Sequence, residues 1–320
     1  MSPYQLTRTL PEDATGAALR SDVLHGLTST PKTLPPKWFY DARGSELFDE
    51  ITTLPEYYPT RAEREILVAR AQEIAEATGA RTLVELGSGS SDKTRHLLDD
   101  LPDLEAYVPV DVSESALRGA AEALSSERPG LTIHALIADF TLGLTLPDMP
   151  GPRLAAFLGG TIGNLLPSER AAFLTSVRGL LLPGDMLLLG TDLVKDESVL
   201  VAAYDDAAGV TAAFDKNVLS VVNRELGADF DPDAFEHVAV WDAEQEWIEM
   251  RLRSTAAQTV KIPALDLAVD FEDGEELRTE ISAKFREEGV RAELAGAGLR
   301  MTHWWTDAKS RFALSLSRVD

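Results

Sequence analysis

The segment TLVELGSGSSDKTR, residues 82–95, decides the fold of this chain. Its apolar run ends at Gly87 and Gly89, and the polar residues that follow can begin a helix. This order is typical of a buried parallel strand, a tight turn and a helix start. Because small glycines let a ligand lie against the backbone at the carboxyl end of a strand, the segment predicts a nucleotide-type cofactor loop.

The sequence around this segment repeats the order of strand and helix. Further apolar runs predict strands over residues 106–110, 131–138, 153–158 and 185–189. A capping box of Thr60 and Glu63 predicts the start of one helix, and Ser113 predicts the cap of another. We therefore predict an α/β fold with a Rossmann-like, doubly wound parallel sheet. Two final strands over 300–305 and 312–317, joined by a polar turn, predict an antiparallel edge.

A different pattern after about residue 195 predicts a second domain. Ile248, Met250 and Leu252 alternate with charged residues, which is typical of an antiparallel sheet. The N-terminal residues combine prolines with aromatics and lack the alternation of strand and helix. The predicted domains are a cofactor-binding domain over 61–195 plus 286–320 and a smaller α+β substrate domain over 1–60 plus 196–285.

Composition limits the functions that this chain can have. Its 30 basic and 53 acidic residues give a net charge of −23, which disfavours nucleic-acid and membrane partners. The chain has no cysteine, and its five histidines show no metal-type spacing, so we predict no metal site. We see no signal peptide and no apolar stretch long enough to span a membrane. We expect a cytoplasmic monomer that acts on a small molecule.

The glycine loop departs from the motifs that bind phosphate groups. Asp92 stands where a dinucleotide fingerprint has its third glycine, and an acidic side chain there disfavours a pyrophosphate. No lysine–serine pair follows a glycine loop of the length that a Walker motif requires. S-adenosylmethionine (SAM) carries no phosphate, and we therefore predict SAM as the cofactor.

Residues at three successive strand ends could bind SAM. Asp111 ends the second strand and could accept hydrogen bonds from the ribose hydroxyls. Asp139 and Phe140 end the third strand and could bind the amine and the apolar face of the adenine. Lys93 could pair with the SAM carboxylate, and backbone carbonyls near Gly87 with its ammonium group. Each residue also has a structural interpretation, such as a helix cap, but the three strand ends together favour a SAM site.

The aromatics of the N-terminal segment leave two interpretations open. Tyr40, Tyr57 and Tyr58 lie beside prolines in ordered loops, where they could fill the core or line a pocket. In a pocket, the tyrosine hydroxyls would orient a polar ligand. Trp38 and Phe39 are predicted to pack in the core.

Seven segments of the chain resemble the SAM-dependent histidine Nα-methyltransferases of ergothioneine biosynthesis. The segments are PPKWFYD (35–41), LPEYYPTR (54–61), ELGSGSSDKTR (85–95), GTIGNL (160–165), GTDLVKD (190–196), YDDAAGVTAAF (204–214) and TEISAKF (279–285). The resemblance covers nearly the whole chain and implies a methyltransferase sheet with a second, substrate-binding domain. It also implies conversion of L-histidine to its trimethylated betaine, hercynine, with three molecules of SAM.

The same resemblance implies roles for individual residues. A carboxylate at one ring nitrogen and a hydroxyl at the other would distinguish imidazole from indole or phenol. From the residues alone, Glu280 would be a solvated charge and Tyr204 a packing residue, whereas Asn164 could be a loop cap or donate its amide to a carboxylate. The implied contacts are Tyr57, Glu280 and Ser282 to the imidazole, Asn164 and Tyr204 to the carboxylate, Tyr40 near the α-amino group, and Gly87, Lys93, Asp111, Asp139 and Phe140 to SAM.

Three other functions stay open at this point. A methyltransferase of the same build could act on another amino acid such as tryptophan, although a buried carboxylate would not suit an indole ring. A non-enzymatic SAM-binding module would need neither the aromatic loops nor the acidic substrate residues. A dehydrogenase is disfavoured by the missing third glycine of the loop.

Overall fold

Residues 4–11, 13–89, 91, 93–140 and 143–319 are described here from a computed structural model. The strands of this part of the chain are β1 (Gln5–Arg8), β2 (Lys32–Thr33), β3 (Thr82–Leu86), β4 (Ala106–Asp111), β5 (Thr132–Ile137), β6 (Arg153–Phe157), β7 (Met186–Asp192), β8 (Phe235–Asp242), β9 (Trp247–Ser254), β10 (Gln258–Ile262), β11 (Leu267–Phe271), β12 (Glu276–Ala283), β13 (Leu299–Thr306) and β14 (Phe312–Val319). The α-helices are α1 (Ala14–Thr28), α2 (Ala42–Thr53), α3 (Pro59–Thr78), α4 (Arg95–Asp100), α5 (Glu114–Glu127), α6 (Pro167–Leu180), α7 (Glu197–Tyr204), α8 (Val210–Leu226) and α9 (Glu287–Gly296).

The chain divides into two compact units, each built from separate segments. The first comprises Met1–Pro11, Pro59–Val194 and Phe285–Asp320, and the second comprises Glu12–Tyr58 and Lys195–Lys284. The internal boundaries of these units lie within two residues of the predicted domain boundaries. The N-terminal boundary differs, because we predicted all of residues 1–60 in the substrate domain.

The first unit contains an eight-stranded sheet in the order β1-β5-β4-β3-β6-β7-β14-β13. Strands β1, β5, β4, β3, β6 and β7 pair in parallel, and β3 is buried along its whole length between β4 and β6. Continuous apolar strands of this kind are typical of parallel sheets that helices cover on both faces. The predicted Rossmann-like α/β fold is confirmed.

Strand β1 is the element that corrects the predicted N-terminal boundary. Gln5–Arg8 pairs in parallel with β5, from Gln5 beside His134 to Arg8 beside Ile137, at one edge of the sheet. Most of its side chains are exposed, so the segment has no apolar run that a sequence pattern could detect. Its place in the fold comes from backbone pairing at the edge and not from a buried face.

The last two strands form the predicted antiparallel edge. β13 pairs with β14, and β14 also pairs with β7, both in antiparallel register. Both strands are longer than the predicted 300–305 and 312–317, because the hairpin pairing continues one or two residues beyond those bounds. The prediction of an antiparallel closing pair is confirmed.

The second unit is built on a four-stranded sheet in the order β2-β12-β9-β8, with β10 and β11 as a separate hairpin. Ile248, Met250 and Leu252 on β9 are buried, as their alternation predicts. Burial of each such side chain contributes about 1.5–3 kcal/mol to folding. Between them, Glu249 and Arg251 form an ion pair at 2.7 Å, so the two faces of β9 differ in polarity. Helix α8 packs against this sheet at β8 and β9.

Candidate active site

The cofactor loop turns sharply where β3 ends. Gly87 and Gly89 have φ values of 69° and 50°, in the left-handed region that favours glycine. The Gly87 amide donates to the Val110 carbonyl oxygen at 2.8 Å, which joins the loop to β4. A Cβ atom at Gly87 would lie 3.7 Å from Cε1 of Phe140. The fold thus places Gly87 beside the aromatic ring that follows β5, as a shared SAM site requires.

The Asp111 carboxylate, at the end of β4, holds two backbone amides. Its Oδ2 accepts from the Gly89 amide at 3.0 Å, and its Oδ1 accepts from the Ser113 amide at 2.8 Å. The Ala138 amide donates to the Asp111 carbonyl oxygen at 3.0 Å, which brings the segment of Asp139 next to β4. Three of the predicted SAM residues therefore lie at the neighbouring carboxyl ends of β4 and β5.

The polar groups of this loop fit the uncharged parts of SAM. The Ser88 hydroxyl is buried and has no hydrogen-bond partner among the residues that the structure describes. A buried hydroxyl without a partner is uncommon in a folded protein and fits a ligand contact. The half-buried Asp111 and Asp139 add carboxylate acceptors on the same side of the sheet. Asp92, which replaces the third glycine, lies outside the described residues.

Lys93 pairs with Glu63, which the sequence analysis predicted to be part of a capping box. Its Nζ lies 2.5 Å from Oε2 of Glu63, whose other oxygen accepts from the Gly159 amide at 2.6 Å. The predicted capping box of Thr60 and Glu63 is wrong, because α3 begins at Pro59 and Glu63 is fully buried beneath the strand ends. Glu63 therefore fixes the position of Lys93 at the carboxyl ends of β3 and β6.

A buried carboxylate lies directly behind the glycine loop. Glu85 on β3 accepts hydrogen bonds from the hydroxyls of Thr94 and Tyr107, and Tyr107 also bonds to Ser91 at 2.8 Å. Burial raises the pKa of Glu85 to about 7, against the opposing effect of these bonds and of the Lys93 charge. The network anchors both ends of the loop, and sequence patterns did not reveal it.

Asn164 lies at the carboxyl end of β6, beside β3 in the sheet. It closes a short 3₁₀ turn, Thr161–Asn164, that follows two glycines with φ of 83° and 71°, Gly159 and Gly160. Its side chain is half-buried. The turn thus places an amide on the same sheet edge as the predicted SAM residues.

In the second unit, the predicted tyrosines belong to one chain of aromatic contacts. Tyr40 contacts Phe48 at a ring-centroid distance of 5.5 Å, and Phe48 contacts Tyr57 at 6.1 Å. Tyr57 contacts Tyr204 at 6.4 Å, again edge to face. Tyr40 is 44% exposed at one end of the chain, whereas Tyr204 is buried at the other. The fold therefore brings together three residues that the sequence left unconnected.

Strand β12 presents the predicted imidazole contacts beside Tyr204. Glu280, Ser282 and Lys284 alternate along the chain, so their side chains share one face. The hydroxyls of Ser282 and Tyr204 are 2.7 Å apart, and Lys284 Nζ donates to them at 2.8 and 2.9 Å respectively. Lys284 was not predicted, although the i, i+2, i+4 spacing from Glu280 indicates its orientation.

The Glu280 carboxylate belongs to this cluster and is 8% exposed. Burial raises its pKa to about 8, while the charge of Lys284 opposes the rise and that of Asp215 adds to it. Burial of a carboxyl group costs free energy unless a partner compensates for the lost water. The Glu280 carboxyl group is therefore suited to a ligand nitrogen that either donates or accepts a hydrogen bond.

A buried ion pair supports the backbone of Tyr204. His237 Nδ1 lies 2.6 Å from Oδ2 of Asp215, and Nε2 lies 2.7 Å from the Tyr204 carbonyl oxygen. Both partners can only accept, so both ring nitrogens of His237 carry hydrogen and the ring is an imidazolium. Burial lowers the pKa of His237, but the bond and charge of Asp215, the Tyr204 bond and the Asp205 charge together outweigh burial, so the pKa is raised. Sequence reasoning missed this pair.

Two predicted absences can be examined within the described part of the chain. It contains no group of three or more histidine and carboxylate side chains positioned to bind a metal ion. Among its helices, none combines the length and the apolar character needed to cross a membrane.

Comparisons with known proteins identify close relatives over the whole chain. The sequence profile described as "Histidine-specific methyltransferase, SAM-dependent" matches residues 19–319. Histidine N-alpha-methyltransferase of Mycolicibacterium smegmatis is 60% identical over 98% of each chain. The protein of the same name from Mycobacterium tuberculosis is 59% identical over 96% of this chain and 97% of that one. Ergothioneine biosynthesis protein 1 of Neurospora crassa is 33% identical over 62% of this chain and 23% of its own length.

Proposed function

The chain belongs to the SAM-dependent, histidine-specific methyltransferases, and we propose on this premise that it methylates the α-amino group of L-histidine three times. The product is hercynine, the trimethylated betaine, and the pathway is ergothioneine biosynthesis, to which a relative's name refers. The assignment of individual residues to histidine and SAM is part of the proposal.

The observation that carries this proposal is the buried Glu280 beside Ser282. An imidazole ring offers nitrogens on two sides, which a carboxyl group and a hydroxyl group can each bind. An indole ring has one nitrogen and a phenyl ring none, so neither ring can bind both the Glu280 carboxyl group and the Ser282 hydroxyl. The chemistry of the cluster therefore favours histidine over the other aromatic amino acids.

The resemblance of the chain to this family supports the remaining substrate contacts. Tyr57 and Tyr204 are proposed to bind the ring and the carboxylate of histidine, with Asn164 as a second carboxylate contact and Tyr40 near the amine. SAM supplies an electrophilic methyl group on a sulfonium, and Gly87, Lys93, Asp111, Asp139 and Phe140 are proposed to hold it. Their function is positioning and exclusion of water, which dominate catalysis of an in-line displacement.

The amine must be neutral to act as a nucleophile. Its ordinary pKa of about 8 means that modest deprotonation suffices, so the reaction does not need a strong base. After the third transfer the nitrogen carries a permanent positive charge. The faces of Tyr40 and Tyr57 can accommodate that charge through cation–π attraction of about 0.5–2 kcal/mol. The net charge of −23 also favours a cationic cofactor and product.

A mass-spectrometric assay tests the reaction directly. Purified protein incubated with SAM and histidine is expected to give species that carry one, two and three additional methyl groups. A panel of the common amino acids, with tryptophan and phenylalanine included, measures the preference for histidine. Unchanged histidine at high enzyme concentration would contradict the proposal.

The SAM assignment predicts an effect of Asp111. Replacement by alanine is expected to raise the Kd of SAM at least about tenfold, because it removes a charged acceptor and releases the Gly89 amide. Isothermal titration with SAM measures the change. Asp103→Ala, at an exposed position of the same unit, is the matched control. Equal Kd values for the two variants would remove Asp111 from the site.

A further inference from the structure

Strand β12 contains an extra residue, Thr279, directly before the residue that is proposed to recognise the imidazole. In the pairing of β12 with β9, Arg278 lies opposite Arg251. Glu280 lies opposite Met250, the next residue along β9, so Thr279 between them forms a β-bulge. A shift of one residue turns all later side chains to the other face of the sheet. Glu280 therefore lies on the face of Met250, whereas Arg278 lies on the opposite face.

A regular strand would orient Glu280 differently. Without the bulge, Glu280 would share the face of Arg278 and lie opposite Glu249. That face already holds ion pairs of Glu249 with Arg251 and Arg278, at 2.7 and 3.3 Å, so Glu280 would have arginine partners there. The same shift would turn Ile281 to the side of the buried apolar residues of β9. Charge pairing and apolar alternation both favour the regular strand, so the bulge needs interactions that stabilise it.

The side chain of Thr279 supplies such interactions. Its hydroxyl donates to Oδ1 of Asp215 on α8 and lies 3.0 Å from the Met250 carbonyl oxygen. Thr279 is 1% exposed, and hydrogen bonds in a buried site are stronger than in water. Oδ2 of Asp215 is held in turn by His237, which fixes the carboxylate. Thr279 is thus bonded both to the opposite strand and to the helix that packs on this sheet.

We propose that Thr279 is a positioning residue whose bulge turns Glu280 into the substrate cluster. Loss of the Thr279 hydroxyl removes the bonds that oppose the regular register, so Glu280 then spends part of its time on the other face. The inference rests on the proposed recognition of the imidazole by Glu280 and deepens it, because it explains what holds that carboxyl group in place. Thr279 itself is assigned no contact with the substrate.

Substitutions that remove or keep the hydroxyl test this role. Thr279→Val keeps the shape of the side chain and is expected to lower kcat/KM for histidine about five- to tenfold, because loss of a hydrogen bond shifts an equilibrium by about that factor. Thr279→Ser keeps the hydroxyl and is expected to stay within about twofold of the wild type. Thr259→Val is the matched control, since it removes a hydroxyl that bonds to Asp270 in the separate β10–β11 hairpin.

Double-mutant kinetics separate this role from a general loss of structure. Glu280→Ala is combined with Thr279→Val, and kcat/KM for histidine is measured for the wild type, both single variants and the double variant. If Thr279 acts through Glu280, the loss caused by Glu280→Ala is expected to be about five- to tenfold smaller in the Thr279→Val background. An equal loss in both backgrounds would overturn the positioning role. Absence of histidine methylation by the wild type would instead overturn the proposed function, and cross-linking would then decide on the bulge.

Cross-linking tests the register of β12 without any activity, because the chain has no cysteine of its own. Ile281 lies opposite Glu249 in the observed register, whereas a regular strand would place it opposite Ile248. Opposed residues of antiparallel strands have Cα atoms about 4.5–5.5 Å apart, within the range of a disulfide. Under mild oxidation, Glu249→Cys with Ile281→Cys is expected to form a disulfide, and Ile248→Cys with Ile281→Cys is not. Mass spectrometry of the peptides measures both.

Thr279→Val introduced into both cysteine pairs completes the test. The disulfide of the Glu249 pair is expected to form about fivefold more slowly, and that of the Ile248 pair faster. Cross-linking of the Ile248 pair in preference to the Glu249 pair while Thr279 is present would overturn the inference, as would unchanged rates in Thr279→Val. The first comparison needs no change at Thr279, so the inference stays testable if Thr279→Val does not fold.

Discussion

Replacement of Glu280 by alanine is expected to lower kcat/KM for histidine by about ten- to hundredfold. A buried donor or acceptor left without a partner costs about 1–3 kcal/mol, and the ring nitrogen that faces Glu280 would lose its partner. The same change removes a buried carboxyl group that penalises other rings. Use of tryptophan and phenylalanine relative to histidine is therefore expected to rise.

Competition assays with equal concentrations of histidine and tryptophan, read by mass spectrometry, measure both effects. Glu236→Ala is the matched control, because this glutamate is exposed on a strand of the same sheet. The control is expected to behave as the wild type. If Glu280→Ala kept the wild-type ratio of methylated histidine to methylated tryptophan, Glu280 would not be the group that recognises the ring.

Replacement of Asp215 by alanine is expected to produce the largest loss of stability. Asp215 is fully buried and accepts from His237 and from the hydroxyl of Thr279. Removal of one partner from a buried ion pair costs about 3–5 kcal/mol, because the other partner stays buried without compensation. Asp205→Ala, at an exposed position, is expected to leave the free energy of unfolding within about 0.5 kcal/mol of the wild type.

The loss of stability in Asp215→Ala should also depend on pH. The folded-state pKa of His237 is raised above its ordinary value of 6.5, so the pair stabilises the protein fully below that value. The stabilisation is lost as the pH rises through the raised folded-state pKa. Urea denaturation at pH 6 and pH 9 should show that the gap between wild type and Asp215→Ala narrows at the higher pH. A gap that widens with pH would contradict the imidazolium assignment.

The sheet of the first unit was predictable because its strands are continuous apolar runs that end in glycine or aspartate. Once the strand order is parallel, the carboxyl ends of β3, β4 and β5 must be neighbours. Gly87, Asp111 and Phe140 were therefore placed together without knowledge of any contact. Each apolar run and its end residue lie within a short stretch of sequence, and this is why the arrangement could be predicted.

The partners of buried charges were not predictable in this way. Glu63 binds Lys93 and His237 binds Asp215 across elements that are far apart in sequence. Sequence spacing carries no information about such pairs, since they depend on how separate helices and strands pack. Glu63 also matches the local pattern of a capping box, so the sequence alone predicted a role that Glu63 does not have. The orientation of Lys284 was predictable, because alternation along the strand puts its side chain on the same face as that of Glu280.

The position of β14 has a consequence for biosynthesis. This strand is formed by Phe312–Val319, yet it lies inside the sheet between β7 and β13. While the nascent polypeptide is still on the ribosome, β7 therefore has an unpaired edge for more than a hundred codons. Unpaired strand edges are sites of aggregation. During translation, the edge of β7 therefore stays open to non-native pairing until β14 has emerged from the ribosome.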